Sequence, residues 1–116
     1  MRDENLTIED LPAKDNGPRV LRLTGPLVIT SFFAFQTLVR EDKSATLVLD
    51  FSGVPYIDSA GIGALVGTYV SHQKEGRSLA LVGVTKRVRD AMQVTRVEQF
   101  FKFYDTQGDA ERDSGA

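Results

Sequence analysis

At 116 residues, 41% of them hydrophobic, the chain has room for one domain and one core, since folding at this size buries roughly two-thirds of the unfolded surface. A formal net charge of −2, with Lys and Arg scattered, leaves no electrostatic footprint for a nucleic-acid backbone or an anionic membrane. Cysteine is absent and His72 is the single histidine, so disulfides, thiolate chemistry and the usual zinc clusters are excluded, and neither a metal nor a cofactor is expected. The start MRDENLTIED is polar and acidic, and no apolar run approaches the roughly 20 residues that cross a bilayer. A cytoplasmic location is the expectation.

Leu6 and Ile8 alternate with polar neighbours, and Val20, Leu21 and Leu23 follow after Pro12, Asn16-Gly17 and Pro18, which reads as two antiparallel strands joined by a loop. Residues 29–40 carry Phe32, Phe35, Leu38 and Val39 at helical spacing, with Thr30 or Ser31 placed to cap. Phe32, Phe33 and Phe35 are all expected in the core, although neighbouring positions 32 and 33 point about 100° apart and an exposed ring would mark a docking or homodimer surface. The run Thr46-Leu47-Val48-Leu49-Asp50-Phe51 lacks polar alternation and suits a central parallel strand covered on both faces. A helix carrying Ile62, Leu65, Val66 and Tyr69 runs to Gly76, and residues 79–84 form the next buried strand. Thr85 caps a third helix with Val88, Ala91, Met92 and Thr95 on one side and Lys86, Arg87 and Arg89 on a solvated face. Phe101 to Tyr104 alternate as a last strand, and the polar tail GDAERDSGA is expected to fray. Strands separated by helices imply right-handed parallel crossovers: an α/β fold with a mixed sheet, antiparallel at its N-terminal strand and otherwise mainly parallel, with helices packed over it.

The stretch Tyr56-Ile57-Asp58-Ser59-Ala60-Gly61-Ile62-Gly63 leads from a strand into a helix N-terminus. The first N–H groups of a helix lack internal partners and carry the positive end of its dipole, so an anion is stabilised there. Spacing alone makes Asp58 or Ser59 a simple N-cap. Gly61, Gly63 and Gly67 cost a helix on the order of 2–3 kcal/mol relative to alanine, which points to a close backbone approach. Ala60, Ala64, Gly67 and Ser71 form a stripe of small residues, read first as an intramolecular contact and second as a partner surface. A nucleotide loop is not supported, because the third glycine of the dinucleotide fingerprint and a Gly-Lys-Ser/Thr sequence are both missing. Nor is a hydrolase: Ser59 lies outside a Gly-x-Ser-x-Gly elbow, and His72 stands roughly 20 Å further along the same helix.

This turn, with Leu47-Val48-Leu49-Asp50 ahead of it, resembles the signature of STAS domains of the anti-sigma-factor antagonist type. Val20-Leu21-Arg22-Leu23-Thr24-Gly25 resembles the second strand of that family, and residues 79–84 followed by Thr85, Val88 and Met92 resemble its later strand and helix. The resemblance implies a STAS domain over residues 1–108, followed by a flexible polar tail at 109–116. It also implies a non-enzymatic partner switch. The unphosphorylated protein binds an anti-sigma factor that is itself a serine kinase, and phosphorylation of Ser59 releases it; Asp58 shapes the turn, and Asp58, Ser59, Ala60, Gly61, Ile62 and Gly63 make the partner-binding site.

Two departures stand out. Family members often carry an acidic residue shortly after the glycine of the second strand, whereas Gly25-Pro26-Leu27-Val28-Ile29 is wholly apolar. The family also commonly continues into a further helix, and residues 105–112 allow at most a short one. The alternative reading is a non-switching accessory subunit of a transport or stress-signalling complex, and anion or nucleotide binding at the helix N-terminus ranks below both.

Overall fold

A computed structural model describes residues 5–11 and 17–114. Pro12 and Asn16, assigned to the first loop, lie outside the described residues. The described residues form one five-stranded sheet in the order β1-β2-β3-β4-β5, made of β1 (Thr7–Leu11), β2 (Arg19–Thr24), β3 (Thr46–Gly53), β4 (Ser78–Val82) and β5 (Lys102–Tyr104). β1 pairs antiparallel with β2, and every other pairing is parallel. The helices are α1 (Phe32–Glu41), α2 (Ser59–Glu75), α3 (Lys86–Val94) and α4 (Gln107–Ser114), with a single 3-10 turn at Glu98–Phe100. The architecture is the mixed α/β sheet expected from the sequence.

Strand alternation sorts the core into two layers. Leu21 and Leu23, Leu47, Leu49 and Phe51, and Leu79 and Leu81 face one side, where Phe35, Leu65, Val88 and Met92 of the first three helices cover them. Val20, Val48, Ala80 and Val82 face the other side and meet Ala110 of α4. β3 is therefore buried on both faces, as its unbroken apolar run requires.

Several expectations are revised here. Residues 109–114, read as part of a polar tail, continue α4, the short helix that residues 105–112 allowed, and Ala110 at 1% exposure closes the second face of the sheet. Helix α1 begins at Phe32, the start that a cap position at Ser31 implies. Ser31 stands at its N-cap position but does not cap it: the Ser31 hydroxyl accepts from Val28 N and donates to Pro26 O, holding residues 26–31 in a separate turn. Phe35 is fully buried and Phe32 half-buried, but Phe33 is 69% exposed and stacks on Phe32, so the three rings do not share the core. The supposedly solvated cations of α3 are also partly engaged. Lys86 pairs with Asp90, Arg87 lies over the Tyr56 ring, and Arg89 pairs with Glu98 while covering Phe103.

At the sheet end remote from Ser59, Asp42 follows α1 with 2% exposure and accepts from Arg19 of β2 (3.0 Å), Arg77 (2.7 Å) and the Ser44 hydroxyl. Burial alone would raise its pKa, but the hydrogen bonds from Arg19 and Ser44 outweigh this and hold the carboxyl below its ordinary value. Arg77 also donates to Nε2 of His72 (3.2 Å), while His72 Nδ1 donates to Thr68 O (2.9 Å). The ring is thus neutral, with its proton on Nδ1. Burial lowers the His72 pKa below the ordinary 6.5, outweighing the opposing hydrogen bond to Thr68. Beneath pH 6.5 the native protein therefore binds fewer protons than the unfolded chain. Stability that is complete above that pH is lost as the pH falls. Urea midpoints should drop between pH 7.5 and pH 5.5, and His72→Gln should flatten that interval; a wild-type profile already flat there would contradict the assignment.

Candidate functional site

The turn before α2 is built by three backbone elements that converge. Leu27 forms an isolated parallel bridge with Ile57, Leu27 N donates to Tyr56 O (3.2 Å), and Asp58 N donates to Leu27 O (3.4 Å). Asp58 is the N-cap of α2, resolving the choice between Asp58 and Ser59. One carboxylate oxygen accepts from Gly61 N (3.0 Å), and the other accepts from Ile29 N (3.0 Å). A single side chain thus caps α2 and pins the segment leading into α1 beside it, the first of these bonds contributing about 1 kcal/mol.

Ser59 is the first residue of α2 and is exposed, and its hydroxyl makes no hydrogen bond to another described residue. A group attached there meets the open N-terminal N–H groups on one side and the Asp58 carboxylate on the other.

Of the six residues assigned to partner binding, the structure leaves Ser59 and Gly63 exposed and Asp58 and Ala60 half-buried. Gly61 and Ile62 are buried and do not form a contact surface. Gly61 serves the fold: a Cβ there would lie 2.2 Å from Leu27 O and 2.6 Å from Ile57 Cγ1, so the bridge to Leu27 closes only over glycine. Ile62 faces the main core.

The other two glycines behave oppositely. A Cβ at Gly63 or Gly67 would have nothing within 4 Å, although each glycine costs α2 about 1 kcal/mol relative to alanine. The small-residue stripe therefore divides. Ala64 packs in the core, while Gly67 and Ser71 stay exposed along a groove between α1 and α2, so the intramolecular reading holds only for part of it. Ile29 is a surface residue that its apolar surroundings in the sequence do not reveal. It is 61% exposed, and its N–H, donated to Asp58, ties it to the start of α2.

Gly76, at φ 69°, ends α2 in the left-handed conformation, and the axial rise over thirteen residues separates Ser59 from the buried His72 by roughly 20 Å. Among the described residues no cluster of His, Asp or Glu could hold a metal ion, and no helix is long and apolar enough to cross a membrane.

Comparison with known proteins agrees with this architecture. The STAS domain profile matches residues 12–110. The chain is 29% identical over 59 residues to an anti-sigma-B factor antagonist of Staphylococcus aureus, a match spanning 51% of this chain and 55% of that relative, about half the length of each. An anti-sigma factor antagonist from Mycobacterium paratuberculosis superposes with a TM-score of 0.81 at 23% identity, covering 96% of this chain and 97% of the other. The Bacillus cell fate determinant SpoIIAA in its phosphorylated form superposes with a TM-score of 0.66 at 16% identity, covering 92% and 97% of the two chains. The matched profile takes in β2 to β5, the Asp58-capped turn and α2 together, and on that extent the chain belongs to the STAS domain family.

Proposed function

We propose that the chain is a cytoplasmic anti-sigma factor antagonist that works as a binding protein and catalyses nothing. Unphosphorylated, it binds an anti-sigma factor that is also a serine kinase, which frees the sigma factor; phosphorylation of Ser59 ends the binding and so regulates sigma-dependent transcription. The observation that carries this reading is the exposed Ser59 hydroxyl, which makes no hydrogen bond to another described residue, held at the first position of α2 by the Asp58 cap. The names of the relatives above and the phosphorylated SpoIIAA structure support it.

The chemistry of the switch is electrostatic. Phosphate adds about −1.5 to −2 charges next to Asp58, in a surface that a bound partner would dehydrate. If burying that unpaired charge costs roughly 2–5 kcal/mol, affinity falls between about thirtyfold and a few thousandfold. The non-catalytic role is supported by His72, whose two ring nitrogens are both engaged inside the fold.

Incubation with the anti-sigma factor kinase of the same organism and ATP, followed by peptide mass spectrometry, should place the phosphate on Ser59. Phosphate on another serine or threonine, with Ser59 unmodified, would defeat the reading.

A further inference from the structure

Beyond Asp50 and Val82, the last registered pair of β3 and β4, the two chains stay side by side up to their helices. A Cβ at Gly83 would lie 3.0 Å from the Cβ of Ser52, and the Thr85 hydroxyl donates to Val54 O (3.3 Å). One step further, the Arg87 guanidinium lies over the Tyr56 ring, 5.0 Å from its centroid. The start of α3 is thereby laid along the loop that delivers Asp58 and Ser59 to the start of α2. Tyr56 stands three residues before Ser59, a span of at most about 11 Å.

Three cations open α3, and their partners differ. Lys86 is paired with Asp90, and Arg89 is paired with Glu98 while covering Phe103. Arg87 is exposed and has no carboxylate partner among the described residues, so the Tyr56 ring alone holds its guanidinium. Contact with a ring supplies no carboxylate, and the N–H donors of the group remain available to one. A guanidinium already held in place loses less conformational entropy on pairing than a free surface cation does.

The functional reading says what covers this surface. A partner whose active site closes on Ser59 takes about 800 Å² of this chain, a patch roughly 30 Å across, and Tyr56 falls inside it. The guanidinium on that ring is then dehydrated by the same partner, and a dehydrated, unpaired cation is stabilised by an opposing carboxylate.

We propose that Arg87 is a recognition residue of the docking surface and receives a carboxylate of the anti-sigma factor kinase. The inference rests on the functional reading above and adds to it a contact outside the Ser59 turn, on a different helix, together with the chemistry of the group that meets it.

The probe is the kinase shown to phosphorylate Ser59, titrated calorimetrically against the full chain and its variants. Arg87→Gln should weaken binding about tenfold and reduce its salt dependence, and Arg87→Glu should weaken it further. Arg87→Lys should also bind more weakly than wild type, because an ammonium neither stacks on the ring nor offers two parallel donors. Lys86→Gln, which removes the same charge one residue earlier, should bind like wild type. All four side chains are at exposed positions, so melting temperatures should stay within about 3 °C of wild type and the losses are read on folded protein. Equal losses in Arg87→Gln and Lys86→Gln, or full affinity in Arg87→Lys, would reveal a diffuse field and overturn the proposal. If the kinase binds wild type and Arg87→Gln alike, the proposal is overturned while the functional reading stands. If Arg87→Gln leaves the affinity unchanged but shifts the phosphate titration of Ser59-phosphorylated protein in ³¹P spectra, the guanidinium serves the phosphate of its own chain and the partner contact is overturned. If no kinase binds wild type, both readings fall.

Discussion

Gly61→Ala should destabilise the protein by about 3 kcal/mol, even though alanine is ordinarily the better helix residue by about 1 kcal/mol. The methyl would stand 2.2 Å from Leu27 O and 2.6 Å from Ile57 Cγ1, and the first of these is backbone fixed by the bridge to Ile57. Relief requires moving Leu27, which is fully buried, or tilting the first turn of α2 away from it. Either movement also strains the Asp58 bonds to Gly61 and Ile29, so the loss extends to the surface around Ser59. Gly63→Ala supplies an internal control: in the same helix turn but over empty space, it should stabilise. Denaturant titration of both variants gives the comparison, and the account is wrong if the two substitutions shift the midpoint in the same direction by similar amounts.

Asp42→Ala should cost about 3 kcal/mol or more, because it removes the shared acceptor of two guanidinium groups from a site 2% exposed. Breaking a buried ion pair from one side is expensive because the remaining charge stays desolvated. Here the cost is moderated, since Arg19 keeps Asp10 (2.6 Å) and Arg77 keeps Glu75 (2.5 Å). Asp42 joins the end of α1 to the first residue of β2 and to the residue before β4, so its loss should act on the whole sheet end in one cooperative transition. Calorimetric unfolding measures this. A change below about 1 kcal/mol would mean that the cluster is solvated and structurally idle.

The same distinction between local and tertiary causes explains what could be read in the sequence. Thr85 is a cap because its side chain accepts from Val88 N, a contact made within one turn, and Gly76 ends α2 by its own backbone preference. The apolar run through β3 required a layer on each side, and the sheet order followed from the alternation of strands and helices. Helix α4 was legible only as the short helix that residues 105–112 allowed, because a single alanine, Ala110, anchors it and one apolar residue has no periodicity. The signal that could have found it lies elsewhere: Val48, Ala80 and Val82 needed a cover, and residues after β5 were the ones left to supply it.

The site shows the same pattern. Asp58-Ser59 at a helix start was legible from residue type and spacing, whereas the burial of Gly61 and Ile62 depends on Leu27, more than thirty residues earlier in the chain. Phe33 was misassigned because helical spacing identifies a stripe but not its edge. The turn that Ser31 and Asp58 impose on residues 26–31 sets where α1 begins and which ring faces out.

The central claim is that charge on Ser59 governs partner binding, and its most direct measurement is the affinity of the anti-sigma factor kinase for three forms of the full chain. Ser59→Ala should bind like the unphosphorylated wild type, while the form phosphorylated at Ser59 should bind between about thirtyfold and a few thousandfold more weakly. Equal affinities for the phosphorylated and unphosphorylated forms would contradict it.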